Sequence, residues 1–537
     1  MTARHVWIDG ARFELAPAAL VGQGGEAEIY DLGDGRVVKW WKPADHPDFD
    51  GQPEAQLAAA QRLAERPAKL RALPGRLPAA VVAPAGFALA AKRSSQVVGY
   101  LMPKVRGEAL CSYGEVRWRR EHSVAGEDVV AVLLALHDAI AELHRAGVVI
   151  GDFNDLNVLV DARRVHLIDV DSYQFAGYSC PMFSERFVDP RLCDAQLVPV
   201  RPHDTDSDWF AFAAMAFRTL LGVGPWGGVA KQCPPAQRAL RRTCVLANGV
   251  VYPRAARLPA ILPDELYATF RAIFERDERG IFPRAQLERL RLRPCPSCGE
   301  EHARSRCPAC RTAVARPAEV VRGGLRWLPI ARGDVAIASR ALPAHGMSIA
   351  GGALMRSLRW GQERAGSVLP GLTRAWASPK LGLGFYRAGG YAVGFVFDPR
   401  RGGIDDRVAL PRLRGQLVDT HAVCGDDRAW LFLTCAERGR LVTTCVVVAR
   451  DASVLACEEL VDAPWAAGAA GACAAGAHLF VPTDDGVVRV ELVHGAPAVT
   501  RVFAETAGLV GAADQLVLHA SGIDALRRGD AIRMQLA

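Results

Sequence analysis

The stretch 148–175, VVIGDFNDLNVLVDARRVHLIDVDSYQF, decides how the chain is read. Asp152 opens a short polar loop, Asn157 follows five residues later, and Asp169 lies twelve residues beyond that. Apolar runs of strand length, VLV and VHLI, separate the polar groups. Two readings compete: an apolar hairpin with solvated acids at its ends, or a site for phosphoryl transfer. Transfer between ATP and an alcohol calls for positioning and charge neutralisation rather than covalent chemistry.

Upstream, LVGQGGEAEIYDLGDGRVVKWW (20–41) sets Gly22, Gly24 and Gly25 between two strand-like runs. Glycines in such a turn let backbone N–H groups approach a phosphate closely, although a lone glycine turn is ordinarily just a hairpin. Lys39 follows two valines on the next strand, and Lys42 is its rival. The helical stretch PEAQLAAAQRLAERPAKL (53–70) offers Glu54, with Glu65 as runner-up, to pair with the lysine. An apolar strand then runs into YLMPKVRGEAL (100–110).

Glycine turn, strand lysine, helix with an acid, apolar strand, Asp/Asn loop and IDVDS come in the order found in the protein kinase family, which residues 15–290 resemble. The resemblance implies an α+β bilobal domain over residues 1–290 that binds ATP and Mg2+ or Mn2+. Gly22, Gly24 and Gly25 would cover the phosphates, and Lys39 and Glu54 would position them. Met102 would be the gatekeeper, and the backbone of Pro103 and Val105 would bond adenine. Asp152 would be the base, Asn157 and Asp169 the metal ligands, and Asp208 in SDWFAFAAMAFRTLLGVGPW (207–226) the acid bracing the loop.

The departures are specific. Ala27 stands where a third glycine is usual. Ile150-Gly151 replaces the family's His-Arg, which removes the receiver for a phosphorylated activation loop. Asn154 replaces a lysine, Asp171 replaces the glycine of Asp-Phe-Gly, and Asp171 is expected either near the metals or as a turn cap. Asp189-Pro190-Arg191 in ERFVDPRL replaces Ala-Pro-Glu, so the customary ion pair of that last position with Arg279 cannot form as normal. GDFNDLNVLV and IDVDSYQ are similar to a divergent bacterial branch whose kinases accompany a von Willebrand A-type protein and a PP2C-type phosphatase; both are the partners this resemblance implies.

Cys295, Cys298, Cys307 and Cys310 in CPSCGEEHARSRCPAC form two C-x2-C knuckles eight residues apart, the layout of a structural Zn2+ site with no open position. This zinc ribbon (291–315) is expected to cap the first domain or dock a partner, with His302 a surface residue. A linker, RTAVARPAEVVRGG, leads to residues 325–537, where short apolar runs alternate with Gly and Asp turns. That texture predicts an all-β repeat domain, β-propeller-like with roughly four or five blades of about 40–50 residues, or a two-sheet sandwich. HLFVPTDDGVVRVEL reads as a hairpin closing on Asp-Gly. Cys424, Cys435, Cys445, Cys457 and Cys473 have no metal spacing and are expected to be small buried residues.

Composition sets the outer limits. The chain has 537 residues, half of them hydrophobic and 23% charged, enough for several globular domains. A net charge of +7, not gathered into a block, does not point to nucleic acid. The most apolar run, VVAVLLALHDAIAELH (129–144), carries Asp138, Glu142 and His144 and reads as a buried helix rather than a membrane span. The opening segment lacks a secretory layout. Of 14 cysteines, those outside the cluster are scattered, which predicts a reducing cytoplasm. Function is therefore expected to be that of a Ser/Thr protein kinase. The alternatives are a pseudokinase scaffold that assembles a signalling complex, and a small-molecule kinase.

Overall fold

A computed structural model describes residues 4–230, 233–253, 256–312, 320–330, 342–358, 360–368, 373–388, 391–437, 440–461, 463–512, 514–519, 522–526 and 531–536. The chain is multidomain and mostly β, with many antiparallel sheets, several helices and a compact four-cysteine unit.

The first sheet has seven strands: β1 (His5–Ile8), β2 (Ala11–Glu14), β3 (Leu20–Gln23), β4 (Ala27–Asp31), β5 (Arg36–Trp41), β6 (Gly86–Leu89) and β7 (Val97–Pro103). Their order is β2-β1-β6-β7-β5-β4-β3. Successive side chains of a strand face opposite sides. In β5, Val38 and Trp40 therefore join an outer apolar cluster with Val6, Ile8 and Leu101. Val37, Lys39 and Trp41 face the other side, toward the helix Pro53–Arg71 and the cleft below, where Val37 and Trp41 join the main core. That alternation turns Lys39 toward the cleft.

The stretch 148–175 is partly a hairpin. Val158–Asp161 pairs with Arg164–Leu167, and Glu108–Ala109 adds a third strand. Its acids stand at the two ends of this hairpin, which turns them toward one place. Below lies a helical core of Gly126–Arg145, Thr205–Leu221 and Asp264–Glu275. Thr205–Leu221 is capped by Asp204, whose carboxylate accepts from Ser207 N at 2.7 Å, and stops at Gly222 (φ +75°). Its aromatic residues pack with Phe270, Phe274 and Phe282. Among the described residues no helix is long and apolar enough to cross a membrane.

Arg191 pairs with Asp189 and not with Arg279, and it is Asp189 that supplies the arginine's counter-charge. Asp189, two residues before Arg191, takes Arg279 in a bidentate contact of 2.8 and 2.9 Å, with both groups buried. The acid has moved along the chain, and the brace remains. Asp189→Ala strands a buried guanidinium and is expected to cost about 3 kcal/mol, read from urea denaturation; an unchanged midpoint would show the pair to be dispensable.

Beyond residue 320 five antiparallel sheets follow one another. Four are meanders within 347–367, 374–409, 416–459 and 473–503. The fifth joins Val320–Arg322 and Leu325–Ile330 to Gln515–His519, Gly522–Leu526 and Ala531–Leu536, so the last strands close on the first. The larger apolar clusters lie between sheets. Leu383 and Leu431 share one, Phe432 and Val481 the next, and Trp327, Val487 and Ile532 a third. The hairpin expected on Asp-Gly has Asp484-Asp485 as its loop; Gly486 (φ +110°) begins the return strand, where a Cβ would lie 2.5 Å from Thr506 Oγ1. Cys435, Cys445 and Cys473 are buried as expected, whereas Cys424 is half-buried and Cys457 exposed. Part of the linker, 313–319, lies outside the described residues.

Candidate functional site

Lys39, Asp169 and Asp171 meet in the cleft between the first sheet and the helical core. Lys39 Nζ bonds Asp169, and bonds Asp171 Oδ1 at 2.6 Å. Burial opposes the charge on Lys39, but Asp169 and Asp171 outweigh it and raise the pKa. Asp169 has φ +69°, a left-handed conformation that costs an aspartate about 1 kcal/mol and that tertiary contacts must enforce.

Asp171 stands beside Asp169 on the same lysine. It is fully buried and accepts from Lys39, from Trp41 Nε1 at 2.9 Å and from Tyr100 OH at 3.1 Å, with Arg66 at 3.1 Å from its Oδ2. Burial works against its ionisation, yet Lys39 and Arg66 hold the carboxyl well below the usual range. The expected partnership of Lys39 with Glu54 is corrected here. The helix Pro53–Arg71 brings a cation, Arg66, to the cluster, whereas Glu54 lies in its first turn beside Arg414 and Glu437. A residue twelve positions further along the helix faces a different depth of the cleft, and composition alone does not reveal which one.

Asp152 is half-buried. Its carboxylate accepts from Asn154 Nδ2 at 3.0 Å, and its carbonyl accepts from Asn157 Nδ2 at 3.0 Å. Burial first, then the nearby Asp169 charge, pushes its pKa up to about 7, against the pull of Asn154. A carboxylate poised there suits a proton acceptor at neutral pH. Asp208, fully buried, accepts from Ile150 N at 2.8 Å, Gly151 N at 3.0 Å and His144 Nε2 at 2.9 Å, which holds the loop's entry. One residue escaped the sequence reading. Asp155 is buried and takes both Arg186 (3.2 Å) and Arg218 (2.5 Å). Its only signal was a third acid-type position in GDFND, which says nothing about its partners.

The glycine turn is held from behind. Lys42 Nζ donates to the Gly24 carbonyl and pairs with Asp48, each at 2.5 Å, so the rival lysine is engaged outside the cleft. Gly22, Gly24 and Gly25 do not adopt left-handed φ, and a Cβ on Gly22 or Gly24 would meet only ordinary contacts. A Cβ on Gly25 would lie 3.6 Å from Gly415 Cα, so the β-array lies against the turn. Arg412 pairs with Asp50 at 3.2 Å across the same contact. Glu26, next in the turn, pairs with Arg62 at 3.2 Å and with Arg66. On the far wall, Met102 is buried in one apolar cluster with Ala27, Val37 and Leu167. Pro103 is exposed at the end of β7 and offers only a carbonyl, while Val105 packs partly buried against the core and carries an N–H.

The four cysteines come together. Their sulfurs all lie within 4.8 Å of one another, with 3.7 Å between Cys295 and Cys310 and 3.6 Å between Cys298 and Cys307. Four thiolates about 2.3 Å from a tetrahedral Zn2+ stand ~3.8 Å apart, so the donor set fits zinc. Backbone N–H groups of Ser297 and Cys298 aim at Cys295 and lower its pKa to about 6, whereas the sulfurs of Cys298, Cys295 and Cys307 push Cys310 up to about 12. His302 accepts from Arg304 N and is not among the four donors. The unit docks on the helical core. Glu301 accepts from Gly126 N at 2.6 Å and from Arg119 at 3.0 Å, and Arg257 pairs with Glu300 at 2.9 Å. A carboxylate at the first turn of Gly126–Arg145 also complements the helix dipole.

No model of a known protein family and no curated protein matches the chain.

Proposed function

We propose that the chain is an ATP- and Mg2+-dependent protein kinase that transfers the γ-phosphate to a Ser or Thr of a partner protein. The observation that carries this reading is the convergence of Lys39, Asp169 and Asp171 in one cleft with Asp152, a carboxylate raised to about 7, on the adjoining loop. The first sheet then serves as the upper lobe and the helical core as the lower lobe of a bilobal kinase. Asp152 accepts the proton of the acceptor hydroxyl, and Asn154, bonded to its carboxylate, fixes its direction. Lys39 holds nucleotide phosphates under the glycine turn 22–25. Asn157 and Asp169 hold Mg2+ or Mn2+, which supplies charge neutralisation to the phosphoryl group. The base sits against Met102, between the Pro103 carbonyl and the Val105 N–H. Asp208 keeps the loop in place.

Residues 291–315 act as a zinc ribbon that caps the lower lobe. The five sheets beyond 320 act as blades of a propeller-like recruitment domain for the protein acceptor, with von Willebrand A-type and PP2C-type proteins as the first acceptors to try. The cytoplasm is the compartment this reading requires. The array's contacts with the glycine turn and with the loop at Gln196, which accepts from Arg440 at 3.4 Å, support presentation of an acceptor at the cleft. Arg412→Glu with Arg440→Glu is expected to lower transfer to a protein acceptor severalfold without changing nucleotide affinity; a gain in transfer would mean that the array shields the cleft instead.

A scaffold without transfer is the second reading. It is favoured by one observation: Lys39 is engaged by two carboxylates of its own chain. Transfer from labelled ATP with Mg2+ or Mn2+, run beside Asp152→Asn, separates the two. Nucleotide binding with no transfer to any acceptor supports the scaffold.

A further inference from the structure

From the charge pattern around Lys39 we infer that Arg66 is a positioning residue of the nucleotide site: a cation on the helix that holds Asp171 and Glu26, leaving Lys39 free to turn to phosphates. The inference rests on the kinase reading above. It assigns the helix a role opposite in charge to the acid expected there.

Arg66 is 5% exposed and lies between two carboxylates from distant parts of the chain. It pairs with Glu26 of the glycine turn, and its Nη1 is 3.1 Å from Asp171 Oδ2. Arg62, one turn earlier on the same helix, reaches Glu26 as well. The ions alternate in sign: Glu26, Arg66, Asp171, Lys39, Asp169. With Arg62 included, three carboxylates face three cations, a locally neutral set. Removing Arg66 alone leaves a net negative charge where a polyphosphate must bind, and removing it together with Glu26 leaves Lys39 as the cation that must stay on Asp171.

Lys39 has two duties that compete. In the structure it bonds both Asp169 and Asp171. To hold phosphates it must loosen its grip on Asp171, and a fully buried carboxylate cannot be left without a cation. Arg66 satisfies that requirement, aided by Trp41 Nε1 and Tyr100 OH on the same carboxylate. The Glu26 contact adds a mechanical link, because it ties the glycine turn to the helix that carries Arg66. Both functions work through other residues, so Arg66 need not touch the nucleotide.

The test compares full-length wild type with Arg66→Met/Glu26→Gln, in which both members of one buried pair become neutral and neither is left as an uncompensated charge. Arg66→Lys keeps the charge. Affinities for ATP and for adenosine are measured by displacement of a fluorescent nucleotide, alongside thermal melts. The expected result is ATP binding weakened about 10- to 100-fold in the double variant, with adenosine binding and melting temperature near wild type, and partial recovery of ATP affinity in Arg66→Lys. A purely structural role would move adenosine and ATP together. Unchanged ATP affinity in a folded double variant overturns the inference and leaves the kinase reading standing. Failure of the wild type to bind any nucleotide overturns both.

Discussion

Asp152→Asn is expected to reduce phosphoryl transfer by about 10²- to 10⁴-fold, the range over which a general base contributes, while nucleotide affinity stays near wild type. The amide keeps the shape of the side chain, and Asn154 Nδ2 still has an oxygen to bond. What is lost is the proton acceptor. Because burial and Asp169 raise the Asp152 pKa to about 7, wild-type transfer should climb as pH rises through neutrality, and the residual rate of the variant should lack that limb. Stability should move the opposite way. An acid whose folded pKa is raised binds its proton more tightly folded than unfolded. Its contribution is present below the unfolded value near 3.9 and is lost as pH rises through about 7. Asp152→Asn should therefore melt above wild type at about pH 8 and level with it near pH 4. Transfer at the wild-type rate in the variant would remove Asp152 from the role. Equal melting at both pH values would mean that the carboxylate is not desolvated in the fold.

Loss of the metal at the cysteine unit is expected to be the largest single effect on stability. Cys295→Ser, or exhaustive chelation, should take bound zinc from about one per chain to none. The knuckles then have little to hold them, since the described residues of the unit form only one short strand pair and the short helix Pro308–Thr312. With them goes the platform that fixes Glu301 against Gly126 N and Arg119, and Glu300 against Arg257. Arg119 and Arg257 are buried, so their release exposes or strands two guanidinium groups. A cost of more than about 3 kcal/mol follows, or roughly 5–10 °C in melting temperature for a domain of this size. The helix Gly126–Arg145 runs from Glu301 at one end to His144, the partner of Asp208, at the other. Damage at the cysteines should therefore reach the Asp152 loop on heating, while transfer at low temperature is preserved. A zinc-free protein with an unchanged melt would show that the four thiols pack without metal.

Much of the candidate site was legible because its signals are local. The five-residue step from Asp152 to Asn157 lies within one loop, and both knuckles of the cysteine unit are two-residue spacings. Lys39 and its rival Lys42 were both in view in the sequence, and the pleat of β5 in the folded sheet turns Lys39 toward Asp169 and Asp171. The partners of these residues were not legible. Glu26, Arg66 and Asp171 come from a turn, a helix and a loop far apart in the chain, and which helix residue faces Lys39 depends on how that helix sits across the sheet. The same holds for Asp189 with Arg279, and for Asp155 between Arg186 and Arg218. Opposite charges on a surface can lie anywhere, but a buried charge must find its counterpart within a few ångströms, and only packing decides which one is there.

The β-rich half divides in the same way. Alternating apolar runs and turns marked out repeated antiparallel strands, because a strand's pleat writes itself into the sequence with a period of two. Closure of the array did not show. Leu325–Ile330 pairs with Ala531–Leu536, and hydrogen bonds between backbones two hundred residues apart leave no trace in the order of side chains. Sequence by itself determined which chemical groups the chain possesses and the faces on which its strands present them. Tertiary structure alone decided which charges meet, because burial makes the pairing of ions obligatory and the fold supplies the distances.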